Sequence, residues 1–259
     1  MRSLYWRAVW VCVLLCTCVQ AETRLQLTLA SVNYPPLIDD RLRGGGVLTQ
    51  IVDAVCKRAG IDVRFETVPN NRAMSGMMKG WYSGSYGWSH SPERDAKLLF
   101  STQPVYTFHM VFFQRKGEVF PWKALADLAP YRIGMTAGNH YSDEFSRLIT
   151  AKVLRVDEAT SELSNMRKLL AGRIDLFPME ETAGRFMVQT EFAPAEQLKL
   201  EAQSKSMWDV PTYLVLRKDL ANATELMSRF DRTFATMMKA REIERIIDEA
   251  ERDWMVRRR

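Results

Sequence analysis

The chain has 259 residues, which lies between one and two domains at ~150 residues per domain. With 47% hydrophobic, 26% charged and 10% aromatic residues, the composition is globular, which excludes a disordered or collagen-like chain. The formal net charge of +5 is mild, and without a concentrated basic stripe it gives no support to a nucleic-acid partner.

Arg2 and Arg7 precede an apolar run from Ala8 to Val19, and Val19-Gln20-Ala21 then puts small residues before Glu22. This reads as a cleaved secretory signal peptide over residues 1–21. The run falls short of the ~20 apolar residues of a membrane-spanning helix. Its loss removes Cys12, Cys16 and Cys18, leaving Cys56 alone, and takes the net charge to +3. The mature chain, 22–259, is therefore expected to rely on its core rather than on an internal disulfide, although an exported protein could form one. Cys56 reads as a buried, inert thiol, and the Arg257–Arg259 tail as solvated.

Leu25–Val32 alternates as a first strand, and Tyr34-Pro35-Pro36 with Gly44-Gly45-Gly46 marks a long loop. Leu48, Ile51, Val52 and Val55 then recur at helical spacing, and Gly60 fits the stop. Ile61–Phe65 alternates again. Strand, helix, strand is the opening of a parallel α/β sheet. The rhythm continues with expected strands at His109–Gln114, Arg132–Met135, Val153–Val156, Ile174–Phe177 and Tyr213–Leu216. Helices are expected at Tyr141–Leu148, Glu162–Ala171 and Glu181–Val188. Two closing helices carry Leu226, Phe230 and Phe234, then Ile243, Ile246, Ile247, Ala250 and Trp254. No Pro/Gly-rich tether separates two halves, so a two-lobed body would be joined by strands crossing between lobes.

Several chemistries find no support. His90, His109 and His140 are scattered, no HExxH exists, and one cysteine cannot build a zinc cage, so no metal is expected. The glycine run lacks both the Lys-Ser/Thr of a phosphate loop and the GxGxxG spacing, and no cofactor is implied. Gly87-Trp88-Ser89-His90-Ser91 lacks the last glycine of a nucleophile elbow.

Gly80–Ser101 carries the clearest signal. Gly84 and Gly87 permit close backbone approach, Trp81, Tyr82, Tyr86 and Trp88 offer flat apolar faces, and Ser89, Ser91 and Arg94 offer donors. Arginine's planar fork suits bidentate grip of a carboxylate. The segment fits a pocket for a small anion or zwitterion; its plainer reading is a surface arginine near a helix start.

The order of features is more specific. Strand, Tyr-Pro-Pro, amphipathic helix, alternating strand, then Ser91-Pro92-Glu93-Arg94, Phe100-Ser101 and Pro104-Val105-Tyr106, with Arg132-Ile133-Gly134 and Gly138 beyond, resembles the family 3 solute-binding proteins. The resemblance runs from about Leu25 to Trp254. It implies an α/β, two-lobed type II periplasmic-binding fold, each lobe a mixed, mainly parallel sheet flanked by helices. Lobe 1 would comprise 22–107 and 212–259, and lobe 2 would comprise 108–211. It implies a periplasmic monomer that captures an amino acid or related organic acid for the membrane permease of an ABC importer.

By position, the resemblance gives Arg94 the ligand α-carboxylate, helped by Ser89, with Tyr34 and Trp88 lining the pocket. Asn139 and His140 would open a helix whose N–H groups favour a carboxylate. Glu180 would pair with an α-ammonium group, or else serve as an N-terminal charge on the following helix. Arg72 would read an acidic or phenolic ligand group, or stand solvated at a helix start. The sequence departs from the family pattern at Ser83, where an acid is usual, at Gly87, where a serine is usual, at Gly46-Val47-Leu48-Thr49, which lacks acids, and at Ala240-Arg241-Glu242, which lacks a glycine.

Two other functions fit this frame. A cyclohexadienyl dehydratase-like enzyme would use Glu180 as a general acid with a raised pKa. A ligand-sensing module would report to a membrane receptor, and with no kinase or transglycosylase segment after Trp254 it would need a separate partner.

Overall fold

The computed structural model describes residues 25–139 and 141–256. The expected signal peptide, His140 and the Arg257–Arg259 tail lie outside the described residues.

The first strand, β1 (Leu25–Ser31), buries Leu27 and Leu29. Helix α1 (Val47–Arg58) lays Leu48, Ile51, Val52 and Val55 over it, as the spacing predicts. Its entry depends on Gly46, held at φ 92°, where an added Cβ would stand 2.6 Å from the Pro36 carbonyl oxygen. Strand β2 (Ile61–Thr67) pairs parallel with β1 in register Leu25–Ile61 through Ser31–Thr67. Helix α2 (Asn70–Met78) leads to β3 (Gly84–Trp88), which pairs parallel with the other edge of β1. The short α3 (Pro92–Lys97) and β4 (Leu98–Phe100) follow.

Strand β5 (Tyr106–Arg115) then leaves this lobe, and lobe 2 is built from β6 (Arg132–Thr136), α4 (Asp143–Thr150), β7 (Arg155–Ala159), α5 (Glu162–Leu170), β8 (Phe177–Glu180), α6 (Glu181–Glu191) and α7 (Pro194–Gln197). The 18-residue β9 (Leu200–Arg217) returns antiparallel to β5, and α8 (Ala223–Lys239) and α9 (Glu242–Val256) close the chain. Strand order is β2-β1-β3-β9-β5-β8, with β4 on β9. The parallel pair β6-β7 meets β8's lead-in through an Ile133–Leu176 bridge.

The cores divide along the crossing strands. Leu214 and Leu216 near the end of β9 pack with Leu29, Leu48 and Phe230. Leu200 at its start, with Val111 and Phe113 of β5, packs with Met166 and Phe177. The joint between lobes is therefore β-structure, as the lack of a tether suggests. Cys56 is buried, and burial lifts its thiol to about 12, so it is inert near neutral pH. No helix among the described residues is long and apolar enough to cross a membrane.

Some element bounds differ from the sequence expectation. The strand placed at Ile174–Phe177 is Phe177–Glu180, because pairing with β5 runs from Phe113–Phe177 to Met110–Glu180. The Val153–Val156 strand is Arg155–Ala159, set by pairing with Arg132–Thr136. The segment read as a binding loop contains a strand, Gly84–Trp88, hidden in the sequence by its glycines. The helix expected from Tyr141 starts at Asp143, where the Ser142 hydroxyl accepts the Phe145 N–H.

Candidate ligand-binding cleft

A cavity of about 290 Å³ opens at the ends of β1 and β3, bordered by Asn33, Tyr34, Trp88, Ser89, Arg94 and Phe108 among others. Pro92 at the first turn of α3 and the Ser91 hydroxyl on the Arg94 N–H fix this short helix. From its first turn Arg94 reaches back, and Nη1 donates to the Ser89 carbonyl oxygen (2.8 Å) and to Ser89 Oγ (3.1 Å). Its guanidinium carbon lies 4.8 Å from the centre of the Trp88 ring. Nε and Nη2 have no hydrogen-bond partner among the described residues, so the charged fork is held on one side and open on the other.

Trp88 is itself fixed from below. Its indole N–H donates to Ser85 Oγ (2.7 Å), and Ser85 donates to the Ala30 carbonyl oxygen (2.6 Å). Between them Gly87, at φ 78°, makes a bulge where the β3–β9 register shifts. The serine usual at this position would take that left-handed conformation only with strain, so its replacement by glycine is a backbone matter.

Tyr34 joins the two lobes. Its ring lies 5.8 Å from that of Phe108, and its side chain packs against the core clusters of both lobes. Burial holds its hydroxyl well above the ordinary tyrosine range, reinforced by the charges of Glu162 and Glu180 and by Tyr141 and Tyr106.

Glu180 ends β8 and caps α6. It is 0% exposed, Oε2 accepts the Ala183 N–H at 2.7 Å, and buried Oε1 has no partner among the described residues. Burial pushes its pKa up to about 7, against the opposing pull of the Ala183 and Thr182 N–H groups. Glu162 opens α5, with Oε1 accepting from Asn139 Nδ2 at 3.4 Å, and burial raises its pKa as well. The Tyr141 hydroxyl accepts the Thr136 N–H at 2.9 Å, at the end of β6.

The cavity thus gathers Tyr34, Trp88, Ser89 and Arg94; Glu180, fully buried in lobe 2, is not among its lining residues. Arg72 is not among its lining residues; it is exposed on α2, two residues from Asn70, which does line the cavity. Asn139 does not open a helix. It sits in the exposed turn after Gly138, three residues before the Ser142 cap, and holds Glu162. His140 lies outside the described residues. The sequence gives no sign of Phe108, which lines the cavity, or of the nearness of Glu162 and Tyr141 to the Tyr34 hydroxyl, because each depends on contacts between distant segments. Ser161-Glu162 at a helix start was the local signal, and it speaks for capping alone. No cluster of three or more potential metal ligands occurs among the described residues.

Two α/β lobes joined by paired strands, with an arginine lining a cavity at the ends of β1 and β3, have the architecture of proteins that close on a ligand. The sequence profile of the bacterial extracellular solute-binding proteins, family 3, matches residues 28–250, and the chain belongs to this family. No curated protein sequence matches it. Among solved structures, it is similar to a probable amino-acid ABC transporter extracellular-binding protein from Bacillus subtilis, with 14% identity over 86% of this chain and 96% of that one and a TM-score of 0.73. An ancestral arginine-binding protein bound to arginine is similar at 18% identity over 87% and 98%, with a TM-score of 0.64. A histidine kinase sensor domain is similar at 19% identity over 87% and 96%, with a TM-score of 0.65. These likenesses establish the type II periplasmic-binding fold.

Proposed function

We propose that the protein is exported, with cleavage after Ala21, and works in the periplasm as a monomer. There it captures a small carboxylate-bearing solute, an amino acid, for the permease of an ABC importer. The two binding bodies would be 22–107 with 212–259, and 108–211. The observation that carries this reading is Arg94: a guanidinium anchored by Ser89 and Trp88 in the cavity wall, with Nε and Nη2 unengaged among the described residues. A carboxylate would occupy that open side, and the ligand's ammonium would take the orphan Oε1 of Glu180. Contacts to both lobes would give the closed form its differential free energy. A thermal-shift screen against amino acids, amines and organic acids tests the reading, since a ligand bound by the native state alone raises Tm. A shift with no compound carrying a carboxylate would overturn it.

The raised pKa of Glu180 supports one rival, a dehydratase acting on a prephenate-like acid, in which Glu180 is the general acid. Turnover of prephenate by the purified protein would favour that rival. Co-purification with a membrane receptor in place of a permease would favour a sensing role.

A further inference from the structure

Trp88 reaches its place beside Arg94 through a change of strand parity. In a regular strand, residues three apart point to opposite faces, so Ser85 and Trp88 would face away from each other. The bulge at Gly87 inserts one unpaired residue: Ser85 lies opposite Val215, Tyr86 opposite Leu214, and Trp88 opposite Tyr213. The packing follows. Tyr86 joins the core of Leu214 and Leu216 on one face of the sheet, while Trp88 joins Ala30 and Val215 on the other. Trp88 thereby shares a face with Ser85. Its indole N–H donates to Ser85 Oγ at 2.7 Å, and Ser85 donates onward to the Ala30 carbonyl oxygen at 2.6 Å. Ser85 is 0% exposed and does not line the cavity.

Arg94 depends on this support. Both of its side-chain bonds leave from one nitrogen, Nη1, to the carbonyl and hydroxyl oxygens of Ser89. Two bonds at a single corner let the guanidinium swing about that corner. The Trp88 ring, 4.8 Å from the guanidinium carbon, is the surface that fixes its plane. The fork is then only as well ordered as the indole, and the indole is held by Ser85.

We infer that Ser85 is a positioning residue for the anion-binding arginine: through the Trp88 indole it sets the plane of the Arg94 guanidinium without touching the ligand. The inference rests on the carboxylate-binding reading above and names the buried support of that same site.

The test is nuclear magnetic resonance of the isotope-labelled full chain, with sodium acetate as the carboxylate probe and the Arg94 Nε–H signal as the readout. In the native protein, acetate is expected to move that signal saturably. Ser85→Ala should weaken acetate binding about threefold or more while the spectrum stays that of a folded chain. Trp88→Phe removes the same bond from the other end and should weaken acetate binding too, so it carries the test by itself where Ser85→Ala does not fold. In the Trp88→Phe background, Ser85→Ala should change the affinity by less than about 1.5-fold, because the bond it breaks is already gone; a serine acting only through general packing would cost as much in either background. Native affinity in Ser85→Ala or in Trp88→Phe, or an equal Ser85→Ala loss in both backgrounds, overturns the inference and leaves carboxylate binding standing. An Arg94 signal that acetate does not move in the native protein overturns both.

Discussion

Trp254 meets Phe186 edge-on, with ring centroids 5.4 Å apart and planes at 83°, so the last helix of the chain touches lobe 2 away from the crossing strands. The Trp254 carbonyl oxygen also accepts from Gln189 Nε2 at 3.4 Å, while Trp254 lines a small pocket together with Pro36, Gly46 and Val47 of lobe 1. The buried indole N–H has no partner among the described residues. Removing the ring should therefore cost far more than removing its nitrogen. Trp254→Ala is expected to lose about 3–5 kcal/mol in denaturant unfolding, and Trp254→Phe roughly 1 kcal/mol. Equal losses would mean that the N–H holds a bond.

Glu180 sets a pH dependence. Its carboxyl titrates at about 7 in the folded chain against an ordinary 4.5, so the native state binds more protons than the unfolded one between those values. Stability contributed at this site is therefore highest below pH ~4.5, falls as pH rises to ~7, and is flat above. At ~1.4 kcal/mol per unit, the loss is at most about 3 kcal/mol. Glu162 and Glu251 are also raised by burial, so the informative quantity is the difference between native protein and Glu180→Gln. From pH 5 to 8, the stability of Glu180→Gln relative to native should climb. An ammonium ligand favours the ionised form, so affinity should strengthen across the same window in the native protein and lose that slope in the variant.

Gly87 explains a departure from the family pattern and gives a third expectation. At φ 78°, and with Leu48 Cδ2 3.2 Å from the position of an added Cβ, a side chain meets both strain and crowding. Gly87→Ser should cost about 1–2 kcal/mol from the left-handed backbone alone. It should also weaken ligand binding, because the strain acts on Trp88 next along the strand. Tighter binding in Gly87→Ser would show that the hydroxyl outweighs the bulge.

The residues legible in the sequence are those whose geometry is local. Arg94 belongs to a Ser-Pro-x-Arg turn: Ser91 caps, Pro92 fixes the first helical residue, and the side chain folds back to Ser89 only five residues away. The α1 stripe was legible for the same reason. Glu180 was placed by resemblance in chain order, though the strand it ends lies three residues later than its apolar run suggests, because pairing with β5, and not hydropathy, sets its limits. The helix start after Gly138 was misplaced because the capping signal is Ser142, and Tyr141 turns inward to accept the Thr136 N–H. The relation of Glu162 to Tyr34 was invisible, because it spans about half the chain and exists only in the folded protein.

Arg94 carries the decisive mutational contrast. It is half-buried, and its protein contacts are two bonds to Ser89, an exposed-type cation–π contact with Trp88 and its place in a short helix. Loss of these should cost about 1 kcal/mol or less of stability, the cation–π contact being worth ~0.5–1 kcal/mol. Truncating one member of a desolvated charge pair costs about 2–5 kcal/mol of binding, which is roughly 30-fold to several thousand-fold in Kd. Arg94→Ala should therefore leave the unfolding transition nearly unmoved while abolishing carboxylate binding in calorimetry. Arg94→Lys keeps the charge but not the fork, since one ammonium cannot satisfy Ser89 and both carboxylate oxygens in the same plane, so its affinity should fall between the two. Affinity within threefold of native in Arg94→Ala would take the guanidinium out of the site, and the cleft would then need another anchor for the acid.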